Sequence, residues 1–166
     1  MQLARWGGAR VIATARGAGL ERCLSAGADV AIDYTDPDLS QSILAANDGR
    51  PVDRIIEPEF GVNIATDAEV IAANGTLVAY GSAKDMAPTV PFGPLLFKAV
   101  TVRIALVYIL TDQERRESID LLTKSLTDGA LDCPVDQVFD LPECAAAHEA
   151  VERGNRSGAI LVRAAI

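Results

Sequence analysis

Residues able to do chemistry fall at a few places in this chain. Gly17-Ala18-Gly19 follows an apolar, β-branched run and precedes a helical segment, a setting in which a glycine turn lets backbone N–H groups approach a phosphate. Asp33 or Asp36 stands downstream where a carboxylate that takes a ribose hydroxyl is expected. Arg22 occupies the position at which that fingerprint needs a small residue for helix–strand packing, so a plain glycine turn remains the other reading of the same residues. Glu57 and Glu59 flank Pro58 as a potential carboxylate pair with no role attached. Gly81 and Ser82 end an apolar run, where their backbone either lines a pocket or turns the chain. His148, the single histidine, shares helical spacing with Cys144 and Val151 and is expected to be buried or half-buried packing. No serine or cysteine has a histidine base placed by a recognisable local pattern, which leaves nucleophilic catalysis without support. Cys23, Cys133 and Cys144 are odd in number and widely spaced, which predicts buried thiols rather than a disulfide framework, and with one histidine there is no metal site.

The elements that must position these residues alternate. Arg10 to Tyr34 reads as strand, helix, strand: Val11, Ile12 and Thr14 form an apolar run, Leu20, Cys23 and Leu24 mark a helix, and Val30, Ala31 and Ile32 form a second run. Such a unit builds a parallel sheet, whose ligands lie beyond the carboxyl ends of the strands, here Ala15, Arg16 and Tyr34. Gln2 to Trp6 reads as a helix end stopped by Gly7 and Gly8. Further along, the spacing predicts a helix from Thr35 or Asp36 to Asn47, a strand over Val52 to Glu57, a helix over Ile64 to Ala73 and a strand over Thr76 to Gly81. Ser82 to Pro94 holds three prolines and reads as a loop. Val100 to Leu110 predicts another strand, Thr111 with Glu114 a capping box that opens a helix ended by Gly129, Pro142 to Arg153 a last helix, and Ala159 to Val162 a last strand. The uninterrupted β-α alternation is that of an α/β domain.

Composition bounds the function. With 166 residues, 49% hydrophobic and 23% charged, the chain suits one compact domain. A net charge of −8 with scattered basic residues makes nucleic acid and anionic membrane poor partners. No apolar run approaches the roughly 20 residues of a membrane span, and no signal pattern follows Met1, so a soluble, cytoplasmic protein is expected.

The succession GGARVIATA, GADVAIDY, VDRIIEPE, ANGTLVAYGS, LLFKAVTVR, LTDQERRESIDLLTKSLTDGAL and VDQVFDLPECAAAHEAVERGNRSGAILV resembles the coenzyme-binding part of medium-chain dehydrogenases/reductases. Within that superfamily it is most similar to the zinc-independent, NADPH-dependent quinone reductase branch. The resemblance covers essentially the whole chain and implies a Rossmann-type, doubly wound α/β fold with a mainly parallel sheet over residues 1–166. It also implies that the usual first strand, the glycine-rich loop and a separate catalytic domain are missing. That first strand belongs in mid-sheet, between the strands at Arg10 to Ala15 and Val52 to Glu57, so the strand near Ala159 to Val162 or a segment of a second chain is expected in the gap.

By the same resemblance, Ala15 replaces the ribose-binding aspartate of NAD-preferring relatives, Arg16 can pair with a 2′-phosphate, and Tyr34 lies beside that phosphate. The lysine that relatives carry in the following helix has no counterpart, Gly19 and Leu20 standing there. Gly81 and Ser82 end the strand that passes the nicotinamide. The implied function is the NADPH-binding portion of an oxidoreductase passing hydride to an electron-poor small-molecule acceptor, without a metal, with NADPH binding weak or absent in this chain alone. The implied partner is a second copy, a homodimer formed through the Val100 to Leu110 edge strand. The alternative is a non-catalytic, Rossmann-like oligomerisation domain that no longer binds cofactor.

Overall fold

A computed structural model describes residues 1–154 and 156–164 of the chain. Its elements run α1 (Gln2–Trp6), β1 (Ile12–Ala15), α2 (Ala18–Ser25), β2 (Val30–Asp33), α3 (Leu39–Ala46), β3 (Val52–Glu57), α4 (Phe60–Val70), β4 (Ile71–Ala79), α5 (Phe92–Phe97), β5 (Thr101–Ile104), α6 (Asp112–Thr127), β6 (Val135–Asp140), α7 (Cys144–Arg153) and β7 (Ala159–Arg163). Every strand pair is parallel, as alternating strands and helices require. The order is β1-β2 in one sheet, β3-β4-β5 in a second and β6-β7 in a third. The fold is Rossmann-type α/β, and no helix among the described residues is long and apolar enough to cross a membrane.

The break between β1 and β3 is where the sequence anticipates a missing central strand. Among the described residues β1 pairs with β2 and β3 with β4, and nothing pairs their other edges. The expectation that the strand near Ala159 to Val162 fills this gap is overturned: β7 lies parallel to β6, with Val138 opposite Leu161 and Phe139 opposite Val162. The strand β6 itself is not anticipated from sequence. Helices α3 and α4 pack against each other.

The core sits on the β3-β4-β5 side. Ile64 and Ala68 of α4 are one turn apart and pack on Ile71, Leu77 and Ala79 of β4, with Leu95 of α5 closing the cluster. Phe60, Ile55 and Val100 cover its margin.

Several boundaries differ from those read in the sequence. Helix α4 starts at Phe60 rather than Ile64 and ends at Val70, because Ile71 is already extended and pairs with Val52. The register then jumps from Val52↔Ile71 to Arg54↔Thr76, leaving residues 72–75 as a bulge within β4. Asn74 adopts φ +59° there and its N–H donates to Lys98 O at 2.7 Å, so Asn74-Gly75 forms the bulge of the strand. The anticipated loop from Ser82 to Pro94 stops short, since Pro91 and Pro94 fall where the start of α5 needs no N–H donor. The anticipated strand from Val100 to Leu110 shrinks to Thr101–Ile104, followed by a short 3-10 turn at Val107–Ile109. His148 is exposed, the buried residues of α7 being Ala147 and Ala150. The cysteines are free thiols, yet none is buried: Cys133 is exposed and Cys23 and Cys144 are half-buried.

Candidate functional site

The carboxyl ends of β1 and β2 carry the first group of expected residues. Tyr34 N–H donates to Ala15 O at 3.0 Å, which brings these two residues together at one sheet edge. The Tyr34 side chain stays 49% exposed, so its ring is open to a ligand. Arg16 follows Ala15 directly and makes no ion pair among the described residues. Its charge lies close enough to Asp33 to contribute to lowering that carboxyl's pKa, a shift led by the hydrogen bonds from Thr35.

Gly17 and Gly19 have structural reasons to be glycine. Gly17 takes φ +54° with ψ −129°, a conformation other residues avoid, and turns the chain from β1 into α2. A Cβ on Gly19 would sit 3.2 Å from Ala15 Cβ, so Gly19 lets α2 close on the strand end. Gly19 N–H and Leu20 N–H donate to Arg16 O and Gly17 O at 3.0 and 3.1 Å. A phosphate loop would leave such groups free; here the turn itself uses them. The acidic candidates are engaged locally as well. Asp33 Oδ1 accepts from Thr35 N–H and its hydroxyl, and Asp36 accepts from Asp38 N–H and the Ser42 hydroxyl. Both carboxyls are held below the ordinary carboxylate range by these donors. A cavity of about 500 Å3 opens beside Ala15, with Gly19, Arg22, Cys23 and Ser157 among its walls.

The ends of β3 and β4 carry the second group. Tyr80 N–H donates to Glu57 O and Phe60 N–H to Gly81 O, both at 3.0 Å, so the β3–α4 corner and the end of β4 share backbone bonds. Gly81 must be glycine because a Cβ there would lie 2.4 Å from Pro58 O. Ser82 Oγ accepts from Gly61 N–H at 2.8 Å and donates to Asp85 O.

Glu57, left without a role by the sequence, is buried at the centre of this corner. One of its carboxylate oxygens accepts from Glu59 N–H at 2.5 Å and from Asn63 Nδ2 at 2.9 Å. Glu59 in turn accepts from Lys84 N–H at 2.8 Å. One turn beyond Asn63, Asp67 is 6% exposed and its Oδ2 is buried with no hydrogen-bond partner among the described residues. Burial, and secondarily the Glu57 charge, pushes its pKa up to about 8. With a pKa of about 8 and its buried Oδ2 without a donor among the described residues, Asp67 is protonated at neutral pH. Sequence reading found Glu57 and Glu59 but missed Asn63 and Asp67. Their i, i+4 spacing beside the apolar Ile64 and Ala68 is the signal of a polar stripe on the packed side of a helix.

Comparison with known proteins places this arrangement. A family profile described as "Zinc-binding dehydrogenase" matches residues 1–124. A "Probable quinone oxidoreductase" of Schizosaccharomyces pombe is 26% identical over 164 residues, covering 97% of this chain and 49% of its own. Among solved structures, a 2-haloacrylate reductase superposes with a TM-score of 0.86 at 24% identity, covering 99% of this chain and 53% of that one. A mycobacterial protein in complex with NADPH superposes with a TM-score of 0.81 at 22% identity, over 98% of this chain and 52% of that one. The chain therefore spans about half the length of the relatives it matches. With a profile match over most of its length and the parallel, strand-end site described above, the chain belongs to the zinc-binding dehydrogenase family of the medium-chain dehydrogenase/reductase superfamily.

Proposed function

We propose that this chain is the NADPH-binding portion of an oxidoreductase that reduces an electron-poor small molecule, of the quinone reductase kind. The observation that carries the reading is the edge at β1 and β2. A small residue, Ala15, stands at the strand end, with the open Tyr34 ring beside it and the exposed Arg16, whose guanidinium has no ion pair among the described residues. That edge suits an adenosine bearing a 2′-phosphate, which a carboxylate at Ala15 would repel. The mycobacterial relative solved with NADPH supports the choice of nucleotide.

Dihydronicotinamide, when bound, supplies the hydride. The chain's own part is to hold the two ends: Arg16 and Tyr34 take the phosphate and adenosine, and the Gly81-Ser82 backbone lines the nicotinamide end. Although the family is described by zinc, no three His, Cys, Asp or Glu side chains among the described residues group as metal ligands. As partner we propose a second copy of the chain, joined through the outer edge of β5.

The test is a thermal shift with 2′,5′-ADP against 5′-ADP on the wild type and Arg16→Ala. Binding to the native state raises the melting temperature by mass action. The wild type is expected to respond more to 2′,5′-ADP, and Arg16→Ala to lose that preference. No response of the wild type to either nucleotide, or to NADPH, overturns the reading.

A further inference from the structure

We propose that Glu59 is a positioning residue for the nicotinamide half of the cofactor, acting through the backbone of Ser82 to Lys84; this rests on the reading of the chain as an NADPH-binding portion. The loop that leaves β4 at Tyr80, which the proposed function puts at the nicotinamide end, runs without regular structure to Pro91. Its first residues are locked to the β3–α4 corner from several directions. Backbone meets backbone so closely at Gly61 that a Cβ there would lie 2.0 Å from Asp85 O, and at Gly81 the approach to Pro58 is similar. Ser82 Oγ bridges Gly61 N–H and Asp85 O. The Glu59 carboxylate reaches across the corner and accepts the Lys84 N–H at 2.8 Å.

Glu59 is itself oriented. Its own N–H donates to the buried Glu57 carboxylate, which Asn63 Nδ2 also holds. The chain of contacts thus runs Asn63 to Glu57 to Glu59 to Lys84, from helix α4 through the corner into the loop. In open parallel α/β sheets the ligand lies beyond the carboxyl ends of the strands at the point where strand order reverses. The loop leaves the carboxyl end of β4, which pairs in parallel with β3 and β5, so it stands at the ligand-binding end of that sheet. Losing the Glu59–Lys84 bond therefore loosens the wall that the nicotinamide meets and leaves the adenosine edge untouched.

The experiment compares NADPH with 2′,5′-ADP, which lacks the nicotinamide half, on the 166-residue chain as wild type, Glu59→Ala and Glu59→Gln. Glutamine keeps an acceptor for Lys84 N–H and removes the same charge, so it separates the hydrogen bond from simple electrostatics. Glu59→Ala is expected to weaken NADPH by about 3–10-fold, the worth of one hydrogen bond, with 2′,5′-ADP unchanged. Glu59→Gln is expected to restore most of the loss. Amide exchange at Lys84 reads the bond directly and is expected to speed up in Glu59→Ala alone. Equal weakening of both ligands, no weakening of either, or failure of glutamine to rescue overturns the inference. A wild type that binds neither ligand removes the underlying NADPH reading instead, and the inference with it.

Discussion

A carboxyl group with one oxygen buried and unpartnered is expensive to ionise, and Asp67 is in that position. Its pKa in the folded chain is pushed up to about 8 from an ordinary 3.8, first by burial and then by Glu57. The native state therefore keeps a proton that the unfolded chain releases above about pH 4. Stability from this group is fully present below that value, declines as pH rises toward about 8, and is level beyond. Each pH unit inside the window costs up to about 1.4 kcal/mol. Asp67→Asn copies the protonated shape without the titration, so it is expected to match the wild type near pH 3, below the unfolded value, and to exceed it by a margin that grows up to pH 8. Urea unfolding at the two values checks this, and parallel pH profiles for the two proteins would contradict it. At this scale the sequence is an incomplete guide. Ala15, Arg16 and Tyr34 are legible because strand ends are marked by where apolar runs stop. Asp67 is not, because nothing local says that an aspartate in a helix faces inward; that depends on which side of α4 the sheet occupies.

Helix α6 shows what local signals alone can do. Thr111 Oγ1 accepts from Glu114 N–H while the Glu114 carboxylate accepts from Thr111 N–H, a complete capping box. The donors from Thr111 hold the Glu114 carboxyl below its ordinary range, so its contribution is lost as pH falls through the depressed value. Yet the apolar residues Ile119, Leu122 and Leu126 remain largely exposed, and only Ser125 of this helix is buried. With so little tertiary packing, α6 depends on its cap. Thr111→Ala is expected to cost about 1 kcal/mol and lower the melting temperature by about 2–4 °C. Melting followed by circular dichroism measures it, and an unchanged midpoint would mean that packing carries the helix after all. The cap was legible because it is written in two residues three apart. The boundary of α4 with β4 was not: Ile71 continues the apolar periodicity of a helix and is extended only because Val52 is there to pair with it. Strand β6 escaped notice for the same reason, since its partner β7 lies about twenty residues downstream in the register observed.

Over the whole molecule, the alternation of strands and helices made the parallel fold legible, while which strands pair with which follows from contacts that no local pattern encodes. The outer edge of β5 is one such place. Thr101–Ile104 lies parallel to Thr76–Ala79 on one side, and among the described residues nothing pairs its other side. Ile104 is 70% exposed, Tyr108 and Ile109 continue the apolar surface, and Phe97 just before the strand is 90% exposed. An exposed, apolar edge is a template for another strand, and proteins that stay monomeric usually blunt such edges with charge. Arg103 is the only charged residue in the strand, and it is drawn toward Glu114 of α6 at 3.0 Å. Two copies meeting edge to edge about a two-fold axis would continue the sheet and cover these residues in both. Ile104→Lys places a charge at that edge without touching the buried core, and it is expected to convert the proposed homodimer into a monomer with little change in the circular dichroism spectrum. Light scattering on the eluting protein decides the matter. A wild type of monomeric mass would remove the dimer, and a dimeric Ile104→Lys would move the interface elsewhere, most directly to the exposed apolar face of α6.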